Sequence, residues 1–154
     1  MKSIDRLSVD ILAFGNKAID NIIKAQSNTA YVIQQDAKNL APENTGAYKE
    51  SIELGETQVN NGVITTSVYT DATVTTLSGT SYNLGRLLEE GTTPHDIYPV
   101  KKSVLKWTNF NGEARFAKYV HHPGTIAQPH FLPALNMNRA LYVENIRKAV
   151  KEAK

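Results

Sequence analysis

No proline occurs before Pro42, and the residues ahead of it repeat apolar side chains at the spacing of a helix. Ile4, Leu7, Ile11, Ala18, Ile22, Ala25, Thr29, Val32 and Leu40 fall mostly three and four positions apart, which sets them along one stripe. Asp5, Asp10, Lys17, Asp20, Lys24 and Lys38 lie largely off it. The pattern predicts helix over residues 3–39, as one long rod or two stacked pieces. Gly15 and the Ser27-Asn28 pair are its weak points, each costing about 0.5–1 kcal/mol relative to alanine. A rod of that length spans about 50 Å, more than a globule of 154 residues is wide. Part of it is therefore expected to protrude or to pack on a neighbouring subunit, so an oligomer is the first expectation.

Beyond Pro42 the signals shorten. The segment 41–46 is a turn, and residues 47–52 read as a helical turn capped by Asn44 or Thr45. Two β-type runs, 54–59 and 63–69, flank Asn60-Asn61-Gly62, the strongest short-range hairpin signal. Residues 71–81 read as a polar loop rich in Thr and Ser, and 82–90 as a short helix carrying Leu84, Leu87 and Leu88, closed by Gly91. Segments 97–100, 104–108 and 114–120 read as strands, with a turn at 109–113. A last helix is expected over 133–152, its basic end suiting the helix dipole. The order helix, strands, helix gives an α+β fold: an antiparallel sheet of about four to five strands against a long N-terminal and a C-terminal helix. One domain is expected over 1–154, divided as helix to 40, sheet, short helix and loops over 41–130, and closing helix over 131–154.

Composition narrows the function classes. The hydrophobic fraction of 41% is ordinary for a folded chain, and the net charge of +2 is too balanced to call for nucleic acid through long-range electrostatics. There is no cysteine, so no disulfide can form, which fits a reducing compartment. No stretch approaches the roughly 20 apolar residues of a membrane span. The opening residues lack the apolar run of a signal peptide, and cytoplasm is the expected starting place.

Candidate chemistry is sparse. His95, His121, His122 and His130 sit near strand ends and could converge, but they lack zinc-type spacing, and adjacent His121 and His122 would point apart on a strand. Glu89-Glu90 face different ways at a helix end, which favours an ion pair with Arg86 or with a neighbouring subunit over paired acid–base work. No nucleophile elbow or phosphate loop occurs. Lys101, Lys102, Lys106, Arg115 and Lys118 interleave with Trp107, Phe110, Phe116 and Tyr119, a pattern that could form a platform for single strands. The competing expectation is that Trp107 and Phe116 face the core while the lysines are solvated. Neither a catalytic residue, a metal nor a cofactor is expected.

Three motifs read in order point further. Ala41-Pro42-x-x-Thr45-Gly46 with Ser51-Ile52 follows the long helix; Tyr82 leads by way of Arg86 into Leu87-Leu88-Glu89-Glu90-Gly91-Thr92; and His122-Pro123-Gly124-Thr125-x-x-Gln128-Pro129-x-Phe131-Leu132-Pro133-Ala134-Leu135 precedes the last helix. This succession resembles the small neck and tail-completion proteins of long-tailed bacteriophages and prophages, over nearly the whole chain. The chain departs from that pattern at Glu90, where an aromatic is usual, in a longer 71–81 loop, and at His130, inserted between Pro129 and Phe131. The resemblance implies a virion protein that is no enzyme. It implies a hexameric ring between the head connector or stopper and the tail terminator or tail tube, with DNA passing through the lumen and no membrane partner. The interaction residues proposed on this basis are Asp71, Thr73 and Gly79 in the 71–81 loop, Tyr82, Arg86, Glu89, Glu90, Gly91 and Thr92, and the arm with His122, Pro123, Gly124, Pro129 and Phe131. Gly46, Gly91 and Gly124 are expected at positive φ. The alternative is a DNA-binding or DNA-gating protein of the phage channel.

Overall fold

A computed structural model of the chain describes residues 4–43, 46–76 and 79–153. The chain divides into two compact units, one made of the N-terminal part to Thr70 together with the segment from His130 onward, the other running from Asp71 to Pro129.

The first unit is built on α1 (Ile4–Leu40), one continuous helix of 37 residues. It passes through Gly15 and Ser27-Asn28 unbroken, because packing of one face supplies more than those residues lose in propensity. α4 (Phe131–Lys151) lies antiparallel to it. The seam between them is made of small residues: Ala18, Ala30, Ala37, Ala134 and Ala149 are all buried. Small side chains let the helices approach closely, and polar pairs then hold their register. Asn138 Nδ2 donates to Asp36 Oδ2 at 2.6 Å and to the Ala134 carbonyl at 2.9 Å. Asn145 Nδ2 donates to Thr29 Oγ1 at 3.0 Å, and Asn21 Nδ2 to the Ala149 carbonyl at 3.2 Å. A buried polar pair stabilises only in the register that satisfies it, which makes the seam specific.

A hairpin covers the C-terminal half of α1. β1 (Ile52–Leu54) pairs with β4 (Val68–Thr70), and β2 (Gln58–Asn60) with β3 (Val63–Thr65). The register moves by one residue between the two ladders, from Leu54↔Val68 to Gln58↔Thr65, as a bulge at Gly55–Thr57 requires. Asn61 and Gly62 form the two-residue turn at φ 50° and 78°, both positive as a type I′ hairpin needs. Gln26 and Gln34 of α1 donate to the Ile64 and Ile52 carbonyls, each at 2.9 Å, tying helix to hairpin through backbone acceptors. Ile52, Ala37, Ala41 and Ala134 form the core, with Ile33, Tyr48, Val68 and Phe131 packed against it. Between the long helix and the hairpin, α2 (Ala47–Glu50) starts at Gly46, whose φ is 79°. The expected caps Asn44 and Thr45 lie outside the described residues.

The second unit has its own order. β5 (Thr73–Thr75) pairs with β6 (Ser81–Asn83), followed by α3 (Leu84–Glu90). β7 (His95–Ile97) pairs with β10 (Val120–His122), and β8 (Leu105–Thr108) with β9 (Ala114–Ala117).

The α+β class and antiparallel pairing are as expected, but among the described residues the strands form five two-stranded ladders where one sheet of about four to five strands was anticipated. Several boundaries are corrected: the strand expected over 97–100 is β7 at His95–Ile97, the run 114–120 divides between β9 and β10, and the last helix starts at Phe131. The polar loop 71–81 is a hairpin: Thr73-Val74-Thr75 is β-branched throughout and suits a strand. Tyr82 belongs to β6, and the helix begins at Leu84, because the Asn83 side chain accepts the Arg86 N–H at 2.9 Å and so caps it there.

Candidate functional site

Gly91-Thr92 and Gly124-Thr125, in motifs 33 residues apart, meet in the second unit. Thr92 and Thr125 form an isolated antiparallel bridge, with N–H to carbonyl bonds of 3.0 and 3.2 Å in the two directions. The Thr92 hydroxyl lies 3.0 Å from that of Thr125 and also accepts the Thr125 N–H at 2.9 Å. Each glycine sits at positive φ, 72° for Gly91 and 87° for Gly124. A Cβ on Gly91 would meet the Thr125 carbonyl at 2.5 Å, and one on Gly124 would collide with the Thr92 carbonyl. The pair is a reciprocal clasp in which each glycine makes room for the other strand's backbone. Gln128 N–H donates to the Leu88 carbonyl at 2.7 Å, so the segment after the clasp also satisfies an orphan carbonyl of α3.

The other anticipated interaction residues distribute as follows. Asp71 and Thr73 are exposed at the start of the β5–β6 hairpin, with Gly79 in its turn at φ 88°. Tyr82 is exposed on β6. On α3, Arg86 Nε donates to Glu90 Oε2 at 3.0 Å across one helical turn, the ion pair anticipated, while Glu89 is half-buried. Pro123 and Pro129 are exposed. Phe131 is placed differently: it opens α4 and packs against the core of the helical unit. His130, beside it, is completely buried, with its Nε2 2.6 Å from the Tyr48 hydroxyl.

The three remaining histidines share the β7–β10 ladder. His95 stands opposite His122, with the rings stacked 5.1 Å apart, and His121 stands opposite Asp96. His121 and His122 point to opposite faces, as adjacent strand residues must. Hydrogen bonds define the ring roles. His95 Nδ1 donates to the Thr93 carbonyl at 2.9 Å, His121 Nδ1 donates to Asp96 Oδ1 at 2.8 Å, and His122 Nδ1 accepts the Gly124 N–H at 3.1 Å. His122 therefore supports the turn that places Gly124 in the clasp. Among the described residues no three His, Asp or Glu side chains gather as a metal site.

From this ladder the chain extends into a two-stranded arm. Tyr98 and Tyr119 stack at 6.0 Å beyond it. Seven residues, 98–104, then face only two, 118 and 119, before the β8–β9 ladder resumes. At the tip Asn109 Oδ1 accepts the N–H groups of Asn111 and Glu113 at 3.1 and 2.9 Å, an Asx-type turn. Phe110, at that tip, is fully exposed. None of residues 95–122 is buried. This overturns the expectation that Trp107 and Phe116 face a core: they are 43% and 60% exposed. Alternation along β8 and β9 was legible, but it cannot say whether either face acquires a covering layer.

The unit's charge is also unevenly laid out along the chain. Residues 71–96 hold Asp71, Glu89, Glu90 and Asp96 against Arg86, whereas residues 97–120 hold five cations against Glu113. The arrangement can bind through surface and shape; it offers a partner exposed rings, a basic arm and, among the described residues, the open edges of two-stranded ladders. Compared with known proteins, no protein-family model, curated protein or solved structure matches this chain.

Proposed function

We propose that this chain is a structural virion protein of a long-tailed bacteriophage, forming a ring at the head–tail junction that joins the head connector to the tail or completes the upper tail end. The observation that carries this reading is the clasp. The Glu-Glu-Gly-Thr and Pro-Gly-Thr motifs on which the resemblance rests are used as backbone architecture. Glycines that cannot accept a Cβ and threonines that bond each other are the means of fixing a surface, and here they brace the base of an exposed arm. The neighbouring copies and the connector or tail proteins would be met by the β5–β6 hairpin, the end of α3 and the segment from His122 to Pro129. A ring needs two different surfaces on each copy, related by a rotation that closes.

Light scattering with negative-stain imaging across protein concentration tests the assembly. Closed rings of about six subunits, the number implied by the family resemblance, support it. A chain that stays monomeric at every concentration, and whose deletion from its phage leaves heads joined to tails, overturns it.

A further inference from the structure

Along the arm, cross-strand register sorts rings and cations into pairs. Trp107 stands opposite Arg115, and Lys106 opposite Phe116. Neighbouring strand positions alternate faces, so the arm presents one exposed aromatic beside one cation on each side. Lys106 Nζ lies 5.7 Å from the Phe116 ring centroid. Lys101 and Lys102 occupy the excursion before β8, and Lys118 lies just past β9; all three are exposed. The one carboxylate between residues 97 and 120, Glu113, is engaged by Asn109 Nδ2 at 3.0 Å and Arg115 Nη2 at 2.9 Å. It therefore offsets Arg115 and leaves the lysines as an uncompensated set.

We propose that this arm binds single-stranded nucleic acid, with bases stacked on Trp107 on one face and on Phe116 on the other, and phosphates held by Lys101, Lys102, Lys106 and Lys118. The charge is complementary to a polyanion. A water-exposed aromatic face next to a cation matches the alternation of base and phosphate along a strand. A duplex has its bases already stacked on one another and would leave both rings idle. The core of a protein interface is depleted of lysine, which disfavours a protein as the occupant of rings flanked by four of them. This binding is independent of ring formation and would serve a protein of any assembly state.

Trp107 is the chain's single tryptophan, so its emission reports directly on the site. Titration with an oligothymidylate of about 20 nucleotides at low salt is expected to quench it saturably, because stacking platforms of this kind take several bases. Log affinity should fall linearly with log salt, and Lys101→Ala or Lys106→Ala should each reduce the slope by about 0.7. Trp107→Ala, followed by anisotropy of a labelled oligonucleotide, should weaken binding by about 5- to 150-fold without changing the slope, and Trp107→Phe should restore most of it. No saturable quenching at about 50 mM salt would overturn the proposal. So would equal affinity for a blunt duplex that Trp107→Ala leaves untouched. A concentration-dependent rise in mass that Trp107→Ala abolishes, with no oligonucleotide bound, would assign the arm to a protein partner instead.

Discussion

Ile52 and Phe110 are large apolar side chains on two hairpins of the same chain; Ile52 is wholly buried and Phe110 wholly exposed. The contrast extends to the units that contain them. In the helical unit, alanines on α1 and α4 disappear into a seam, His130 and Thr29 are buried with hydrogen-bond partners, and Ile52 closes the core. Among the described residues of the unit from Asp71 to Pro129, the one buried residue is Gly85. That unit keeps its shape by other means: ladder hydrogen bonds, the Asn83 and Asn109 side chains, and two glycines that let backbones touch. Two-stranded ribbons with little buried surface are marginal by themselves in water. The chain thus concentrates its hydrophobic burial in one region, while exposed apolar side chains occur in both, among them Leu132, Leu135 and Met137 on α4 and Trp107, Phe110 and Phe116 on the arm.

The largest expected effect tests that asymmetry directly. Ile52→Ala should cost about 2–5 kcal/mol in urea unfolding, by lost transfer energy and a residual cavity. Phe110→Ala should stay within about 0.5 kcal/mol. Equal losses would break the comparison, since the arm tip would then be packed in solution. Next is Gly124→Ala, which meets both a positive φ and the Thr92 carbonyl and should cost about 1–3 kcal/mol. Its damage should be local: amide exchange at Thr92 and Thr125 should accelerate while the α1–α4 seam stays protected. Loss of protection in both units together would mean that they unfold as one.

A smaller effect sharpens the helical side. Tyr48→Phe removes the 2.6 Å bond to His130 Nε2 and should cost about 1 kcal/mol in the same denaturation experiment. An unchanged midpoint would show that the bond contributes nothing net. Smallest is the exposed Glu43. The Lys49 ammonium donates to its carboxylate at 2.6 Å and adds its charge, holding the Glu43 carboxyl below its ordinary value. A depressed folded-state value means that the pair's slight stabilisation is present above the unfolded carboxylate value and is lost as pH falls through the folded one. An NMR titration of the Glu43 carboxyl should show the low midpoint, and Lys49→Met should return it to the ordinary range.

How much was legible in the sequence depends on the range over which each signal acts. The long helix, the Asn61-Gly62 turn and the cap at Gly91 all rest on periodicity or φ preference within a few residues, and each was readable. The Arg86–Glu90 pair was equally local. The hairpin from Thr73 to Asn83 is less legible, because a run rich in Thr and Ser suits a polar loop as well as a strand, and only its pairing decides between them. The motifs that join Gly91 to Gly124 could be read individually, yet nothing local says that segments 33 residues apart will touch.

By itself, then, the sequence determined the succession of helices and turns, the antiparallel character of the pairing, and the positive φ of Gly46, Gly91 and Gly124. Only the tertiary structure decided that His130 is buried against Tyr48, that Phe131 serves the core, that Trp107 and Phe116 stay in water, and that two Gly-Thr pairs form one clasp. The physical reason is that backbone preference is set by neighbours in the chain, whereas burial is set by which surfaces meet. An alternating strand carries the same pattern whether or not a layer comes to cover it.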